Sequence, residues 1–168
     1  MLGCICRYRR NKTILVCFDL DGTLADVRHR LHYIQPNPAI DPKTGKKVMR
    51  RFDLFHHACV HDTVVEPVAY FYRKFVADPD VTVIVLSGRD HATYDKTAQW
   101  FVDNDLPPPD QMLLKQGDQN IPDVEQKRFH ADRLEKKYGK PITMVFDDRD
   151  RVVVMWKARG TFVFNVDQ

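Results

Sequence analysis

The sequence predicts an α/β fold in which a doubly wound parallel sheet carries helices on both of its faces. Short apolar stretches rich in Val, Ile and Phe recur along the chain, and such stretches are typical of strands buried in a parallel sheet. Segments with apolar residues at helical spacing lie between them. A length of 168 residues suits one domain, so we assign residues 1–168 to a single domain.

Four apolar stretches are predicted as the main strands of this sheet. They cover residues 13–18, 81–86, 142–146 and 161–166. A further, short strand is a candidate at residues 112–114. Because helical segments separate the strands, we expect right-handed crossovers between parallel neighbours.

Four segments are predicted as the helices that flank the sheet. In the first, Val68, Phe71 and Tyr72 share one face, which is expected to pack on the sheet. Asp90 is suited to cap the second helix at its N-terminus, and Gly139 is a natural end for the third. The four segments cover residues 67–77, 91–104, 122–138 and 150–159.

Residues 25–66 do not follow the alternation of strands and helices. Two short helical patches are predicted here, at residues 24–34 and 52–60, on either side of a polar segment that contains prolines. We interpret residues 25–66 as a small helical cap or insert over the edge of the sheet, since the segment is too short and too polar for a second domain.

Composition excludes several classes of protein. Hydrophobic residues make up 43% and charged residues 29%, which is typical of a globular domain and argues against disorder. No apolar run approaches the roughly 18 residues of a membrane span, and no signal-peptide core follows the arginines of residues 1–10. We therefore expect a cytoplasmic protein with no membrane partner. Its cysteines are interpreted as reduced thiols, namely Cys4, Cys6, Cys17 and Cys59.

Two basic runs stand out against a net charge of only +3. Such runs attract phosphates by electrostatics alone, although a solvated surface would have the same composition. The first consists of Arg7, Arg9, Arg10 and Lys12, and the second of Lys43, Lys46, Lys47, Arg50 and Arg51.

Polar and charged residues follow three of the predicted strands directly. Because the carboxyl ends of parallel strands meet at one edge of the sheet, we expect these side chains to share a crevice. Four acids, a hydroxyl and two cations in one crevice suit a phosphate monoester and a divalent metal ion. The residues are Asp19 and Asp21 after the first strand, Ser87 and Arg89 after the second, Asp147 and Asp148 after the third, and Lys127 on the preceding helix.

The same residues resemble the motifs of the haloacid dehalogenase superfamily. Residues 18–24 (FDLDGTL) are similar to its first motif, and Ser87, Lys127 and Asp147 with Asp148 match the remaining three in order. Four segments further resemble the 3′-phosphatase domain of phage polynucleotide kinase-phosphatases, namely residues 85–89 (VLSGR), 123–127 (DVEQK), 147–149 (DDR) and 154–157 (VMWK). The insert is longer than that domain has, and no kinase phosphate-binding motif occurs.

This resemblance implies a Rossmann-like phosphatase domain and a role for each motif residue. Asp19 would be the nucleophile that forms an aspartyl-phosphate, and Asp21 the general acid and base. Ser87 and the backbone at Gly88 would hydrogen-bond the phosphoryl oxygens, and Lys127 would offset negative charge. The helix also places Asp123 four residues before Lys127, where it could orient the ammonium group.

The resemblance further implies a metal ion and contacts to substrate. Mg²⁺ would be held by Asp19, by the backbone carbonyl of Asp21, and by Asp147 and Asp148. Two arginines, Arg30 and Arg89, would grip the phosphate or the neighbouring nucleotide, and the Thr23 hydroxyl would tie the loop. These four metal ligands and two arginines, with Gly88 and Thr23, complete the predicted site.

The function expected from these features is Mg²⁺-dependent removal of a 3′-phosphate from nucleic-acid ends or nucleotides. Such an enzyme would heal broken RNA or DNA ends, with a separate kinase or ligase as partner, in a setting such as a phage-infected bacterium. One alternative is a nucleotidase acting on free mononucleotides, with the same catalytic residues. A second is a non-catalytic nucleic-acid-binding module, against which the intact motif residues argue.

Overall fold

The computed structural model describes residues 14–35, 39–117 and 121–166 and contains a large and a small sheet. The strands of the large sheet are β1 (Ile14–Phe18), β4 (Val81–Asp90), β5 (Gln111–Lys115), β6 (Met144–Asp147) and β7 (Phe162–Asn165). They are all parallel, in the order β5-β4-β1-β6-β7. The predicted parallel α/β sheet is therefore confirmed, and the short strand expected at residues 112–114 is β5.

Helices cover both faces of this sheet. Four of them are α2 (Glu66–Ala77), α3 (Tyr94–Asp103), α4 (Asp123–Tyr138) and α5 (Asp150–Ala158), and a shorter helix, α1 (Phe52–His57), lies in the insert. One face of the sheet packs against apolar side chains of α2 and α3, and the other against those of α4 and α5.

Strand β1 shows why the predicted strands are apolar throughout. Its side chains alternate between the two faces: Val16 and Phe18 join the core under α2 and α3, while Leu15 and Cys17 join the core under α4 and α5. All four are buried, as a strand at the centre of a doubly covered sheet must be. Burial of Cys17 raises the pKa of its thiol, which favours the neutral form.

The ends of several predicted elements differ from those in the structure. Gly139 ends α4 in the left-handed conformation, as predicted. Asp90 accepts a hydrogen bond from the backbone N–H of Ala92, but it caps a 3-10 turn at His91–Thr93, and α3 begins only after that turn. Strand β4, however, continues through Asp90, with a register shift against β5 after Leu86. The predicted core position Phe71 is 45% exposed, because its ring lies at the edge of the sheet beside β7.

The insert differs from the prediction at its beginning. Residues 24–34 are not one helical patch: β2 (Ala25–Asp26) pairs antiparallel with β3 (Thr63–Val64), and only Arg28–Tyr33 is helical, in 3-10 geometry. The second predicted patch is present as α1 followed by a 3-10 turn at Ala58–His61. Pairing of β2 with β3 closes the insert, so its two ends lie together beside the sheet.

Some predictions fall outside the described residues. These are the first basic run, Cys4 and Cys6, and Thr13 at the predicted start of β1. Within the described part of the chain, Cys17 and Cys59 are buried free thiols. None of the helices in that part is both long enough and apolar enough to cross a bilayer.

Candidate active site

The loop after β1 brings two aspartates to the carboxyl edge of the sheet. Asp19 continues the strand, and its backbone N–H donates to the carbonyl of Phe146 on β6 at 2.9 Å. Asp21 follows in a tight turn that Gly22 completes at a φ of +89°. A Cβ at Gly22 would lie 2.3 Å from a carboxylate oxygen of Asp148, so only glycine allows the turn to approach Asp148 this closely.

An acidic cluster lies on one side of this loop, and we define it as Asp19, Asp123, Asp147 and Asp148 with Lys127 and Arg149. Its centre is the Lys127 ammonium, which α4 positions 2.8 Å from Asp19 Oδ1 and 2.7 Å from Asp147 Oδ2. Asp123, one turn earlier on α4, lies 3.9 Å from the same nitrogen and accepts a hydrogen bond from Arg149 at 3.0 Å. The predicted convergence of Asp19, Lys127 and Asp147 is thus present in the structure.

The acidic cluster carries more negative charge than its own cations neutralise. When all four carboxyl groups are ionised, they face one ammonium and one guanidinium, which leaves an excess of two negative charges. Burial raises the pKa of Asp19 well above its usual range, with Lys127 opposing the shift and Asp147 adding to it. Burial likewise raises the pKa of Asp148. The charge of Arg149 opposes this rise, and the charge of Asp147 increases it.

The residues of the acidic cluster fit a divalent cation. Asp19, Asp147 and Asp148 each offer a carboxylate oxygen within 4.8 Å of the others, and hard oxygen ligands of this kind suit Mg²⁺. Oδ1 of Asp148 is buried without a hydrogen-bond partner among the described residues, which leaves it available to a ligand. A double positive charge would also cancel the excess charge of the cluster.

An arginine cluster lies on the other side of the loop, and we define it as Asp21, Arg30, Asp62 and Arg89. Asp21 Oδ1 accepts hydrogen bonds from Arg30 Nη2 and from Arg89 Nε, both at 2.7 Å. Asp62 accepts from the same two guanidinium groups at 2.6 to 2.7 Å. All four side chains are buried, and two carboxylates balance two guanidinium groups.

The two arginines determine the charge state of Asp21. Burial by itself would raise the pKa of this carboxyl, but the guanidinium groups of Arg89 and Arg30 outweigh it and hold the pKa well below its usual range. Asp21 is therefore a carboxylate in the free protein. An approaching phosphate dianion would raise its pKa again, because like charges favour the protonated acid.

Three of the predicted substrate contacts are buried in the structure. Arg30 and Arg89 are fully buried, and both guanidinium groups donate to Asp21 and Asp62. Thr23 is also fully buried, where its backbone N–H donates to Leu20 and closes the turn. The physical reason is the same in each case: the insert and the loop pack over these side chains.

Ser87 and Gly88 lie on the irregular end of β4, beside both clusters. The Ser87 side chain is buried, and its Oγ accepts a hydrogen bond from the backbone N–H of Arg89 at 3.3 Å. A Cβ at Gly88 would lie 3.0 Å from Asp123 Oδ1, so a larger residue here would press on the acidic cluster.

An open pocket of about 560 Å³ lies over the loop, a volume within the range of small-molecule sites. The insert forms one wall, and α4 and the start of α5 contribute to the others. Burial lowers the pKa of His56 on the insert wall, so its ring is neutral near pH 7. Residues lining the pocket include Asp21, Phe52, His56, Gly88, Asp123 and Arg149.

Sequence reasoning missed Asp62 as a member of the site. This residue lies 32 positions after Arg30 and belongs to no motif, and only the pairing of β2 with β3 brings it back to the loop. A single aspartate in a polar insert carries no signal that would have marked it. Arg149 was noticed only as part of a resembling segment, although its position beside Asp148 could have indicated a role.

Comparison with known proteins gives one family and a set of related folds. A family model described as the polynucleotide kinase PNKP phosphatase domain matches residues 40–168. A solved structure of the Pnkp1/Rnl/Hen1 RNA repair complex has a TM-score of 0.68 and 24% identity, covering 92% of this chain and 42% of that chain. A second, of the Pnkp1/Rnl/Hen1 complex, has a TM-score of 0.67 and 22% identity, covering 92% and 45%.

The chain thus spans less than half the length of these two structurally similar chains. Among curated protein sequences, no significant match was found.

Proposed function

The chain belongs to the family of polynucleotide kinase PNKP phosphatase domains, and on this premise we propose that it removes 3′-phosphates from polynucleotide ends. It is a phosphatase of the haloacid dehalogenase type. The observation that supports the finer assignment is a pair of aspartates on one loop. Asp19 is in contact with Lys127, while Asp21 is held by two arginines and lines the open pocket.

Asp19 is proposed as the nucleophile. One of its carboxylate oxygens attacks phosphorus, the bond from phosphorus to the sugar 3′-oxygen breaks, and an aspartyl-phosphate forms on Asp19. Lys127, which donates to Oδ1 of Asp19, holds the carboxylate in place and offsets negative charge as the phosphoryl group arrives. The buried contact to Asp147 fixes the ammonium in turn.

Asp21 is proposed as the general acid and then the general base. A sugar alkoxide leaves poorly, so proton transfer from Asp21 to the 3′-oxygen should contribute roughly 10²- to 10⁴-fold to the rate. A phosphate dianion beside Asp21 would raise the pKa of this carboxyl, because like charge favours the protonated acid that donates the proton. After the sugar leaves, the Asp21 carboxylate takes a proton from the water that hydrolyses the aspartyl-phosphate.

Ser87 and the backbone at Gly88 are proposed to hydrogen-bond the phosphoryl oxygens, since both lie at the end of β4 beside Asp19. Arg30 and Arg89 act indirectly, because they hold the Asp21 carboxylate in one orientation for both proton transfers. Their proposed role is positioning, in place of the direct phosphate contact that the sequence predicted.

Mg²⁺ is proposed as the cofactor, held by Asp19, Asp147 and Asp148 and by the backbone carbonyl of Asp21. When bound, it would neutralise the repulsion between the carboxylates and a phosphate dianion.

The proposed substrates are RNA or DNA strands that end in a 3′-phosphate, and a separate kinase or ligase would then complete end healing. Family membership supports this polymer class. A pocket of about 560 Å³ would also accept a free mononucleotide, so a nucleotidase is the second candidate.

Phosphate release from a 3′-phosphorylated oligonucleotide in Mg²⁺ is the experiment that tests the assignment. A 5′-phosphorylated oligonucleotide and free 3′- and 5′-mononucleotides are assayed beside it, with Asp19→Asn as the blank. Preference for the 3′-phosphorylated oligonucleotide is expected. Equal or faster turnover of mononucleotides would favour the nucleotidase, and no turnover of any substrate would favour a non-catalytic binding module.

A further inference from the structure

The second basic run lies on a short hairpin of the insert, residues 39–51, which we call the basic hairpin. Ile40 and Lys47 form an antiparallel bridge, and backbone hydrogen bonds from Asp41 to Lys46 and from Val48 to Ala39, both 2.9 Å, hold its two sides together. The run of cations is therefore presented on a defined structure at the surface.

Four cations of the basic hairpin have no carboxylate partner among the described residues. The acidic residue within the hairpin, Asp41, accepts a hydrogen bond from the backbone N–H of Lys43 at 2.8 Å, while Arg51 pairs with Asp53 at 3.0 Å. Exposed side chains of Ile40, 59%, and Met49, 76%, offer apolar surface beside the charges. The unpaired cations are Lys43, Lys46, Lys47 and Arg50.

The basic hairpin joins directly onto the wall of the pocket. The backbone N–H of Arg51 donates to the carbonyl of Tyr33 at 2.8 Å, which fixes the hairpin to the helical turn before it. Helix α1 begins at the next residue, Phe52, whose half-exposed ring lines the pocket. A chain that leaves the pocket past Phe52 therefore meets the cations of the hairpin.

A free mononucleotide has only one phosphate, and that phosphate must lie beside Asp19 to react. It therefore has no further phosphate that the cations of the basic hairpin could bind. A polynucleotide carries further phosphates upstream of its 3′ end, and a row of exposed lysines and arginines is suited to them. We infer that the basic hairpin binds the sugar–phosphate backbone upstream of the reacting 3′-phosphate and gives the enzyme its preference for polynucleotides. This role depends on the proposed phosphatase function.

A matched pair of charge variants tests the role of the basic hairpin. The hairpin variant replaces Lys43, Lys46, Lys47 and Arg50 by Gln. The control variant removes the same charge from the far end of α4, at Arg133, Lys136, Lys137 and Lys140, about 20 Å from the start of that helix. Initial rates are measured at 50 mM and 200 mM salt on a 3′-phosphorylated oligonucleotide and on a free 3′-mononucleotide.

We expect the hairpin variant to raise KM for the oligonucleotide at least about tenfold at 50 mM salt, while turnover of the mononucleotide changes less than about twofold. The control variant should match the wild type on both substrates. An equal loss of rate on the oligonucleotide and the mononucleotide would overturn the inference. So would a rise in KM for the oligonucleotide in the control variant that equals the rise in the hairpin variant.

Binding of a fluorescent 3′-phosphorylated oligonucleotide to Asp19→Asn protein keeps the test independent of turnover. Dissociation constants are measured against salt, with and without the hairpin substitutions. If all four cations contact phosphates, the slope of log K against log salt should fall by about 2.8, since each single-strand contact contributes about 0.7. An unchanged slope would refute the inference, whereas absent turnover with a changed slope would refute only the phosphatase assignment.

Discussion

The acidic cluster and the arginine cluster flank the same loop after β1, but their charges are arranged differently. In the arginine cluster, two carboxylates and two guanidinium groups form close, reciprocal hydrogen bonds. In the acidic cluster, Lys127 and Arg149 face four carboxylates, and Asp148 Oδ1 has no hydrogen-bond partner among the described residues.

This difference separates a positioning network from a binding site. Buried charges are costly unless they are paired, so a balanced network keeps its geometry with nothing bound. An unbalanced one gains stability when a ligand of opposite charge arrives. The arginine cluster is therefore built to hold Asp21 still, and the acidic cluster to attract a cation.

The largest expected effect is a loss of turnover when the catalytic aspartate of either cluster is replaced, and the two replacements should differ in which step they block. Asp19→Asn removes the nucleophile and should reduce turnover at least about a thousandfold on every substrate. Asp21→Asn should reduce steady-state turnover by roughly 10² to 10⁴ but still allow one phosphoryl transfer from p-nitrophenyl phosphate, whose leaving group needs no proton. The measurement is rapid-mixing release of p-nitrophenol.

One equivalent of p-nitrophenol per Asp21→Asn molecule, followed by a slow phase, is the expected time course. Circular dichroism of both variants controls for folding. A burst from Asp19→Asn, or a steady state without a burst from Asp21→Asn, would contradict the assigned roles.

Stability should respond in opposite ways to loss of an aspartate from each cluster. Asp62→Asn leaves two buried guanidinium groups with one carboxylate, and breaking such a buried pair costs about 3–5 kcal/mol. Asp148→Asn instead relieves excess negative charge, so without metal ion the protein should keep or gain stability. Urea unfolding in the presence of EDTA measures both free energies, and a similar loss in both variants would remove the distinction between the clusters.

Mg²⁺ should stabilise the wild-type protein through the acidic cluster. At 100 times its Kd, an ion that binds only the folded state adds about 2.7 kcal/mol, which a thermal melt with and without Mg²⁺ detects. Asp148→Asn should lose most of this gain, because one of three converging carboxylates is gone. Asp53→Asn, on the exposed insert surface, is the matched control and should retain the full gain.

The sequence predicted three members of the arginine cluster, Asp21, Arg30 and Arg89, but neither Asp62 nor the contacts that join the four, whereas the convergence of the acidic cluster was predicted directly. Asp19 and Asp147 lie at the ends of β1 and β6, so the order of the strands alone brings them together. Lys127 lies on the helix that precedes β6, which places it near the same edge of the sheet. The arginine cluster depends on the insert instead. Its strands β2 and β3 are two residues each, too short for any periodicity to show, so Asp62 could not be placed.

The roles of Arg30 and Arg89 show a second limit of sequence reasoning. An arginine near a phosphate site is equally suited to grip the phosphate or to hold a catalytic carboxylate, and the residue type does not distinguish these. In this structure both guanidinium groups are buried and donate to Asp21 and Asp62, which favours the second of these roles. The parallel sheet itself was predictable because its strands are apolar on both faces.

The pH dependence of stability is the smallest expected effect, and it should have opposite signs in the two clusters. Burial raises the pKa of Asp148, so the folded state binds its proton more tightly than the unfolded state does. The stability from that proton is complete below the unfolded pKa of about 3.9 and is lost as pH rises through the folded pKa. In EDTA, the advantage of Asp148→Asn over the wild type should therefore grow as pH rises from 4.

For Asp21 the sign is reversed. Its pKa is lowered in the folded protein because Arg89 and Arg30 outweigh the effect of burial, so its contribution is present above about pH 3.9 and is lost as pH falls. The deficit of Asp21→Asn relative to the wild type should thus shrink as pH falls below 4, and the advantage of Asp148→Asn should shrink too. With falling pH, the stability of Asp21→Asn relative to the wild type therefore rises, whereas that of Asp148→Asn falls. Urea unfolding from pH 3 to pH 8 measures both trends. Parallel trends would mean that the two clusters respond to protons alike, and the contrast between a positioning network and a cation site would then be wrong.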